Sequence, residues 1–243
     1  KWFCICYLRM KLMLLQVYIQ KLLDFVAQDC WITDMNKTTP NLDAAYGLKT
    51  PEDNQRLYAQ WAEDYDHSFA DEMDYQLPQE VARLFAHNGG TGPVLDIGAG
   101  TGLVAEALIS YGIGPIDALD ISQEMLNVAA AKGVYRNLMA KDITVPFEPE
   151  THGYAGLISS GTFTTGHVGP EALDHLLAIA LPGACFALSI NALHWKAQGF
   201  ERKFTALEGQ ICNFKLADVA IYGARNTSSH KDDRGRIALF EKL

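Results

Sequence analysis

The chain has 243 residues, 49% of them hydrophobic and 20% charged, a balance that excludes an intrinsically disordered protein. Its net charge of -9, with no basic run, argues against broad electrostatic contact with nucleic acid, which depends on Lys and Arg at phosphates. Five cysteines, Cys4, Cys6, Cys30, Cys185 and Cys212, include no C-x-x-C pair, so no metal site or disulfide framework is expected, and a cytoplasmic setting is.

Residues 1–34 differ in pattern from the rest of the chain. Trp2 to Leu8 and Leu12 to Ile19 are apolar, but Arg9, Lys11, Lys21 and Asp24 interrupt them before any run is long enough to cross a bilayer. Met35-Asn36-Lys37 reads as an ordinary protein start. The segment is therefore expected to be an extension outside the core fold; the alternative is an amphipathic helix lying on the domain or on a membrane surface. Residues 35–90 read as a polar lead and then helices. Pro51 to Ala70 is expected to be helical, with Pro51 at the start and Glu52 and Asp53 in the first turn. A second helix is expected over Gln79 to His87, stopped by Asn88-Gly89-Gly90.

Residues 91–243 alternate between strand and helix. Strands are expected at Pro93–Ile97, Ile116–Leu119, Asn137–Ala140, Tyr154–Ser159 and Ala184–Ile190. Helices are expected at Leu103–Ser110, Ser122–Ala131, Pro170–Ala180 and Trp195–Gly209. Asp218–Tyr222 and Arg236–Phe240 read as two further strands joined by a polar loop without a helix, hence an antiparallel pair. The pattern implies an α/β, Rossmann-like, mostly parallel seven-stranded sheet with helices on both faces and an antiparallel C-terminal hairpin.

The most informative string is Val94-Leu95-Asp96-Ile97-Gly98-Ala99-Gly100-Thr101-Gly102. An apolar strand ends in an acid, alternate glycines come next, and a helix begins. Glycines let the backbone turn sharply and lie close to a bound molecule, and a helix N-terminus offers unpaired N–H groups. A dinucleotide fingerprint places its third glycine three positions after the second. Here Gly102 comes two after Gly100, and Leu103 holds the fingerprint's place. A pyrophosphate gains nothing from Asp96, whereas S-adenosylmethionine carries a sulfonium and an ammonium group that do. The string resembles motif I of the class I S-adenosylmethionine-dependent methyltransferases. That resemblance implies that Asp96, Gly98, Ala99, Gly100, Thr101 and Gly102 place the methionine end of the cofactor.

Ligands in such sheets sit beyond the carboxyl ends of the strands, and further candidates fall there. Asp120 opens Asp120-Ile121-Ser122-Gln123-Glu124-Met125-Leu126, which looks like motif II of the same family. Its carboxylate suits two ribose hydroxyls, with Ile121 and Met125 beside the cofactor; Ser122 is placed to cap the next helix. Asp142 resembles the family acid that meets the adenine amino group, with Ile143 against the ring; without the family it reads equally as a turn residue. Ser159 and Ser160 end the fourth strand at the position where the methyl group faces its acceptor. The Asn/Asp-Pro-Pro-aromatic string of base amino methyltransferases is absent there.

His167, in the same stretch, and His194, after the fifth strand, are the candidates to orient or deprotonate an acceptor. Each reads alternatively as a loop-bracing or surface histidine. Tyr58 to Asp66 resembles the N-terminal helix that covers the cofactor in many small-molecule methyltransferases. Tyr58 or Tyr65 is thus expected to close the pocket, with cation–π attraction to a sulfonium.

Gly161 to Leu173, then Ser189-Ile190-Asn191, resembles the methyltransferase-like branch named after the Williams–Beuren syndrome region and its bacterial relatives. Thr165 departs from the pattern expected beside His167. The resemblance implies methyl transfer from S-adenosylmethionine to a small-molecule acceptor by in-line displacement, with no metal and no transmembrane segment. Two alternatives stay open: a non-catalytic module that binds S-adenosylmethionine, and a NAD(P)-dependent oxidoreductase.

Overall fold

The computed structural model describes residues 40, 44–45, 47–48, 50–147, 153–164 and 167–243. The expectations for residues 1–34 and for Thr165 lie outside the described residues. Seven strands, β1 (Val94–Ile97), β2 (Ile116–Asp120), β3 (Asn137–Ala140), β4 (Tyr154–Phe163), β5 (Ala180–Asn191), β6 (Ile211–Ala220) and β7 (Arg234–Lys242), form one sheet. Its order is β3-β2-β1-β4-β5-β7-β6. The first five strands pair in parallel, and β7 runs antiparallel between β5 and β6.

Helices cover both faces because strand side chains alternate between them. On β1, Val94 enters one apolar cluster and Leu95 and Ile97 the other; on β4, Ile158 and Leu157 divide in the same way. The Val94 side is covered by α1 (Pro51–Trp61), α2 (Leu77–His87), α3 (Leu103–Ser110) and α4 (Gln123–Ala131), through Leu57, Phe85, Leu108 and Met125. The opposite side is covered by α5 (Ala172–Ile179), α6 (Ala192–Gln198) and α7 (Phe200–Ala206), through Leu173, Trp195 and Phe204. Cys185 is buried on β5. Near β2, the buried Asp117 carboxylate accepts from Arg136 at 2.9 and 2.7 Å and from the Tyr154 hydroxyl at 3.0 Å, which ties three strands at their starts.

Several boundaries differ from the sequence reading, each for a local reason. The helix from Pro51 does not run to Ala70. It stops at Trp61, and Asp66–Asp71 form a π-helical turn instead. Wide i→i+5 bonds, Glu72 N–H to His67 C=O and Tyr75 N–H to Ala70 C=O, set its phase. Phe69 is buried there in an aromatic cluster with Trp61, Tyr65 and Tyr75. The helix expected over Trp195–Gly209 is two, broken at Gly199 with φ 74°, a conformation side chains resist. The break brings Phe200 and Phe204 back to stack on Trp195 at 5.8 and 5.4 Å.

Strand β4 continues past Ser159 because its Ser-Gly-Thr end, which reads as a loop by composition, regains the ladder at Phe163↔Ile190 after a register shift. Strand β6 begins at Ile211, well before Asp218. It is an edge strand with Asn213 to Leu216 exposed and an irregularity between Cys212 and Lys215, so its period-two signal is lost.

Candidate cofactor and acceptor site

The strand ends of β1, β2 and β4 open into a cavity of about 820 Å³ of non-atom space, partly open to solvent. Its floor is the turn after β1. Gly98 and Ala99 donate their N–H groups to Leu119 C=O at 2.7 and 3.1 Å, which draws the turn against β2. Gly98 has φ 64°, and a Cβ there would lie 2.0 Å from Thr162 Oγ1. Thr162 and Ser159 both donate to Ile97 C=O, at 2.9 and 2.8 Å, so the hydroxyls at the end of β4 fasten the end of β1. Gly100 has φ 54° and open space where its Cβ would be, so its backbone faces the cavity bare.

Asp120 sits on the cavity wall at the end of β2. One carboxylate oxygen accepts the Gly100 N–H and the other the Ser122 N–H, each at 2.8 Å. Each oxygen has a second lone pair for a further donor. Burial pushes the Asp120 carboxyl up, and these amides pull it back down. Ser122 caps α4 through Met125 N–H at 3.2 Å, as its sequence position implied, and Ile121 and Met125 line the same wall. Asp142 and Ile143 line the opposite side; Asp142 Oδ1 accepts from the Thr144 N–H and hydroxyl at 2.8 and 2.7 Å. Tyr58, Tyr65, Ser160 and His167 complete the lining.

Five of the expected cofactor residues do not reach the cavity. Asp96 is fully buried beneath the turn, because its position on the strand directs it to the same face as Val94. Its Oδ2 accepts from the Tyr135 hydroxyl at 2.7 Å, and its Oδ1 has no partner. Ala99 is buried in the turn, and Ser159 is buried on β4 beneath it. Thr101 is buried and donates to Asp66, tying the turn to the π-helical lid, while Gly102 stands at the N-cap of α3. His194 is likewise corrected. It is buried off the cavity, with Nε2 on Val168 C=O at 2.9 Å and its ring against Phe200, because the early start of α6 turns it into the core.

Burial raises the Asp96 carboxyl to about 7. Between about pH 4, where the unfolded carboxyl ionises, and about 7, the folded protein holds a proton that the unfolded chain has released. Asp96 therefore makes stability fall as pH rises through that window and level off above it. Asp96→Asn is expected to remove this contribution, so the variant gains on the parent from pH 4 to 7 in urea denaturation. A constant offset between the two profiles would refute it.

His167 is held differently. Its ring stands edge-on to Tyr58 at 5.8 Å, and its Nε2 is buried without a partner. Burial lowers the imidazole to about 4, so it is neutral near neutral pH.

A second chamber, about 560 Å³ of non-atom space, lies on the far side of this wall. Tyr58, Tyr65, Gly161 and His167 line both chambers. The sequence reading missed the second chamber's roof, Tyr75 and Tyr222, which meet in an isolated antiparallel bridge with rings 6.0 Å apart. Asp74 next to Tyr75 anchors this roof, accepting from the Arg225 side chain at 2.8 Å and from Gly223 N–H through its own C=O at 2.7 Å.

The antiparallel β7 between β5 and β6 separates this sheet from the dinucleotide-binding order, which continues 4-5-6. The family model described as a methyltransferase domain matches residues 69–218. The chain belongs to the methyltransferase domain family, with the class I S-adenosylmethionine-dependent fold. The human methyltransferase-like protein 27 is 28% identical over 151 residues, which is 60% of this chain and 61% of that protein. The match thus spans about three fifths of that relative's length.

Among solved structures, the methyltransferase CcbJ from Streptomyces caelestis superposes with a TM-score of 0.54 at 14% identity, over 76% of this chain and 98% of that one. The N-methyltransferase NodS from Bradyrhizobium japonicum, solved with S-adenosylhomocysteine, gives 0.50 at 16% identity over 68% of this chain and 85% of that one. The described residues contain no helix long and apolar enough to cross a membrane and no cluster of three metal-ligating side chains.

Proposed function

We propose that the chain transfers a methyl group from S-adenosylmethionine to a small molecule, with the donor in the first cavity and the acceptor in the second chamber. The observation that carries this reading is the wall of Tyr58, Tyr65, Gly161 and His167 shared by the two spaces. In-line displacement needs donor and acceptor held face to face with water kept out, and a common wall is where such a contact falls. When bound, the cofactor supplies an electrophilic methyl carbon on a cationic sulfur.

The residues present fit that group. Gly100 leaves backbone bare beside the cavity, and Asp120 offers both oxygens to a ribose. Asp142 and Ile143 suit an adenine edge and face. Tyr58 and Tyr65 present ring faces to a cation. His167 Nε2 accepts the proton that a hydroxyl or similar group loses on methylation.

Asp120→Ala is expected to weaken S-adenosylmethionine binding about 10- to 150-fold, the loss of charged hydrogen bonds worth about 1.5–3 kcal/mol. Calorimetry measures this directly, and parent-like affinity would remove Asp120 from the donor site. Label transfer from methyl-labelled cofactor into a metabolite extract tests the reaction itself. Tight cofactor binding with no labelled product of any size would favour the non-catalytic module.

A further inference from the structure

The second chamber has a composition that restricts its occupant. Its described lining holds six aromatic rings, Tyr58, Tyr65, Phe69, Tyr75, Phe163 and Tyr222, and no Asp, Glu, Lys or Arg. A charged ligand there would be desolvated without a counter-ion, which is costly. Burial also holds the Tyr65 phenol well above its usual range and raises Tyr75 to about 12, so both remain neutral phenols. Two oxygen acceptors at the chamber's far end are already engaged. Ser189 Oγ accepts Gly161 N–H at 2.9 Å, and Asn191 Oδ1 caps α6 through Leu193 N–H at 2.9 Å. His167 Nε2 is buried and has no partner, and a neutral ring with its proton on Nδ1 presents its lone pair there.

We propose that this chamber takes an uncharged aromatic molecule bearing a hydroxyl group, with that hydroxyl directed at His167 Nε2. The inference rests on the methyl-transfer reading and narrows its acceptor. An alkyl ammonium has no lone pair to attack with until it loses a proton, and no carboxylate lines the chamber to receive one. A hydroxyl keeps a lone pair while protonated. Its oxygen forms the new bond to the methyl carbon, and the carbon–sulfur bonding pair leaves with the neutral thioether. The O–H proton, acidified as that bond forms, passes to Nε2 and then to solvent. The positive charge lost at sulfur reappears on the imidazole, so the site carries one unit of charge throughout. The six rings supply edge and face contacts for a flat partner.

The test is calorimetry on the full chain saturated with S-adenosylhomocysteine, using three probes of one shape near neutral pH: 2-naphthol, 2-naphthoate and 2-naphthylmethylamine. The naphthol is expected to bind at least about tenfold more tightly than either charged analogue. Gly235→Leu adds a side chain at a residue that lines the second chamber and not the first, with the flexible Leu77 Cδ1 the nearest atom to its Cβ at 3.3 Å. It is expected to weaken naphthol binding about tenfold or more and to leave S-adenosylhomocysteine affinity as in the parent. Equal or tighter binding of the carboxylate or the amine, or no naphthol binding by a protein that holds S-adenosylhomocysteine, overturns the inference and leaves the donor site standing. Failure to bind S-adenosylhomocysteine overturns the underlying reading as well.

Discussion

His167→Ala is expected to transfer methyl groups roughly 10²–10⁴ times more slowly than the parent, the usual contribution of a positioned base. Its affinity for S-adenosylmethionine should change little. The reason is the placement of Nε2, buried without a partner on the wall shared by two chambers. His167→Gln separates the two ways in which this nitrogen could act. Glutamine accepts a hydrogen bond but does not take up a proton, so recovery of the rate in that variant would assign His167 to orientation alone.

The pH profile gives an independent check. Burial lowers His167 to about 4, so the imidazole is already neutral at pH 7 and the rate should not fall on acidification until the pH approaches that value. A limb near pH 6.5 would mean that another group controls the reaction. Initial rates of label transfer, measured at saturating cofactor, supply all three results.

Gly98→Ala is expected to destabilise the protein by about 2–5 kcal/mol and to abolish detectable cofactor binding. Two penalties add. The backbone at Gly98 has φ 64°, which costs a side-chain residue about 1–2 kcal/mol. The new Cβ would also lie 2.0 Å from Thr162 Oγ1, and overpacking of this kind costs about 1–3 kcal/mol. Thr162 cannot turn aside freely, since its hydroxyl holds Ile97 C=O at 2.9 Å.

Relief therefore comes from movement of the turn, which shifts Gly100 N–H off Asp120 and dismantles the donor floor. Gly100→Ala is the control. Its φ is also positive, but nothing lies within 4 Å of the added carbon, so it should lose stability from strain alone. Thermal denaturation and calorimetry on both variants measure the difference; equal losses would show that the Thr162 contact is not what Gly98 is there to avoid.

How far the site was legible varies with the kind of residue. Asp120 and Asp142 were readable because each comes after an apolar run at a parallel strand end, and the carboxyl ends of such strands share one crevice. Ser122 was readable as a cap from its place before an amphipathic segment. Asp96 was identified as important, but its direction was not legible. A strand in a sheet covered on both faces has no polar face to mark which side an acid points to, and the structure turns it onto Tyr135. His194 and His167 look equivalent as sequence; an early helix start buries one in the core and leaves the other on the shared wall. Tyr75 and Tyr222 are far apart in the chain and carry no local motif, so their bridge over the second chamber was invisible.

The sequence by itself determined the α/β class, the strand–helix alternation, the glycine turn with its acids, and the family to which they belong. These rest on short-range causes: apolar period, capping, and the need for bare backbone at a tight turn. The tertiary structure alone decided which acids face the cavity, which histidine lies on the wall shared by the two spaces, and that a chamber lined by aromatic rings lies beside the first cavity. Those come from packing between segments distant in the chain, where burial and partner choice are set by neighbours that no local window contains.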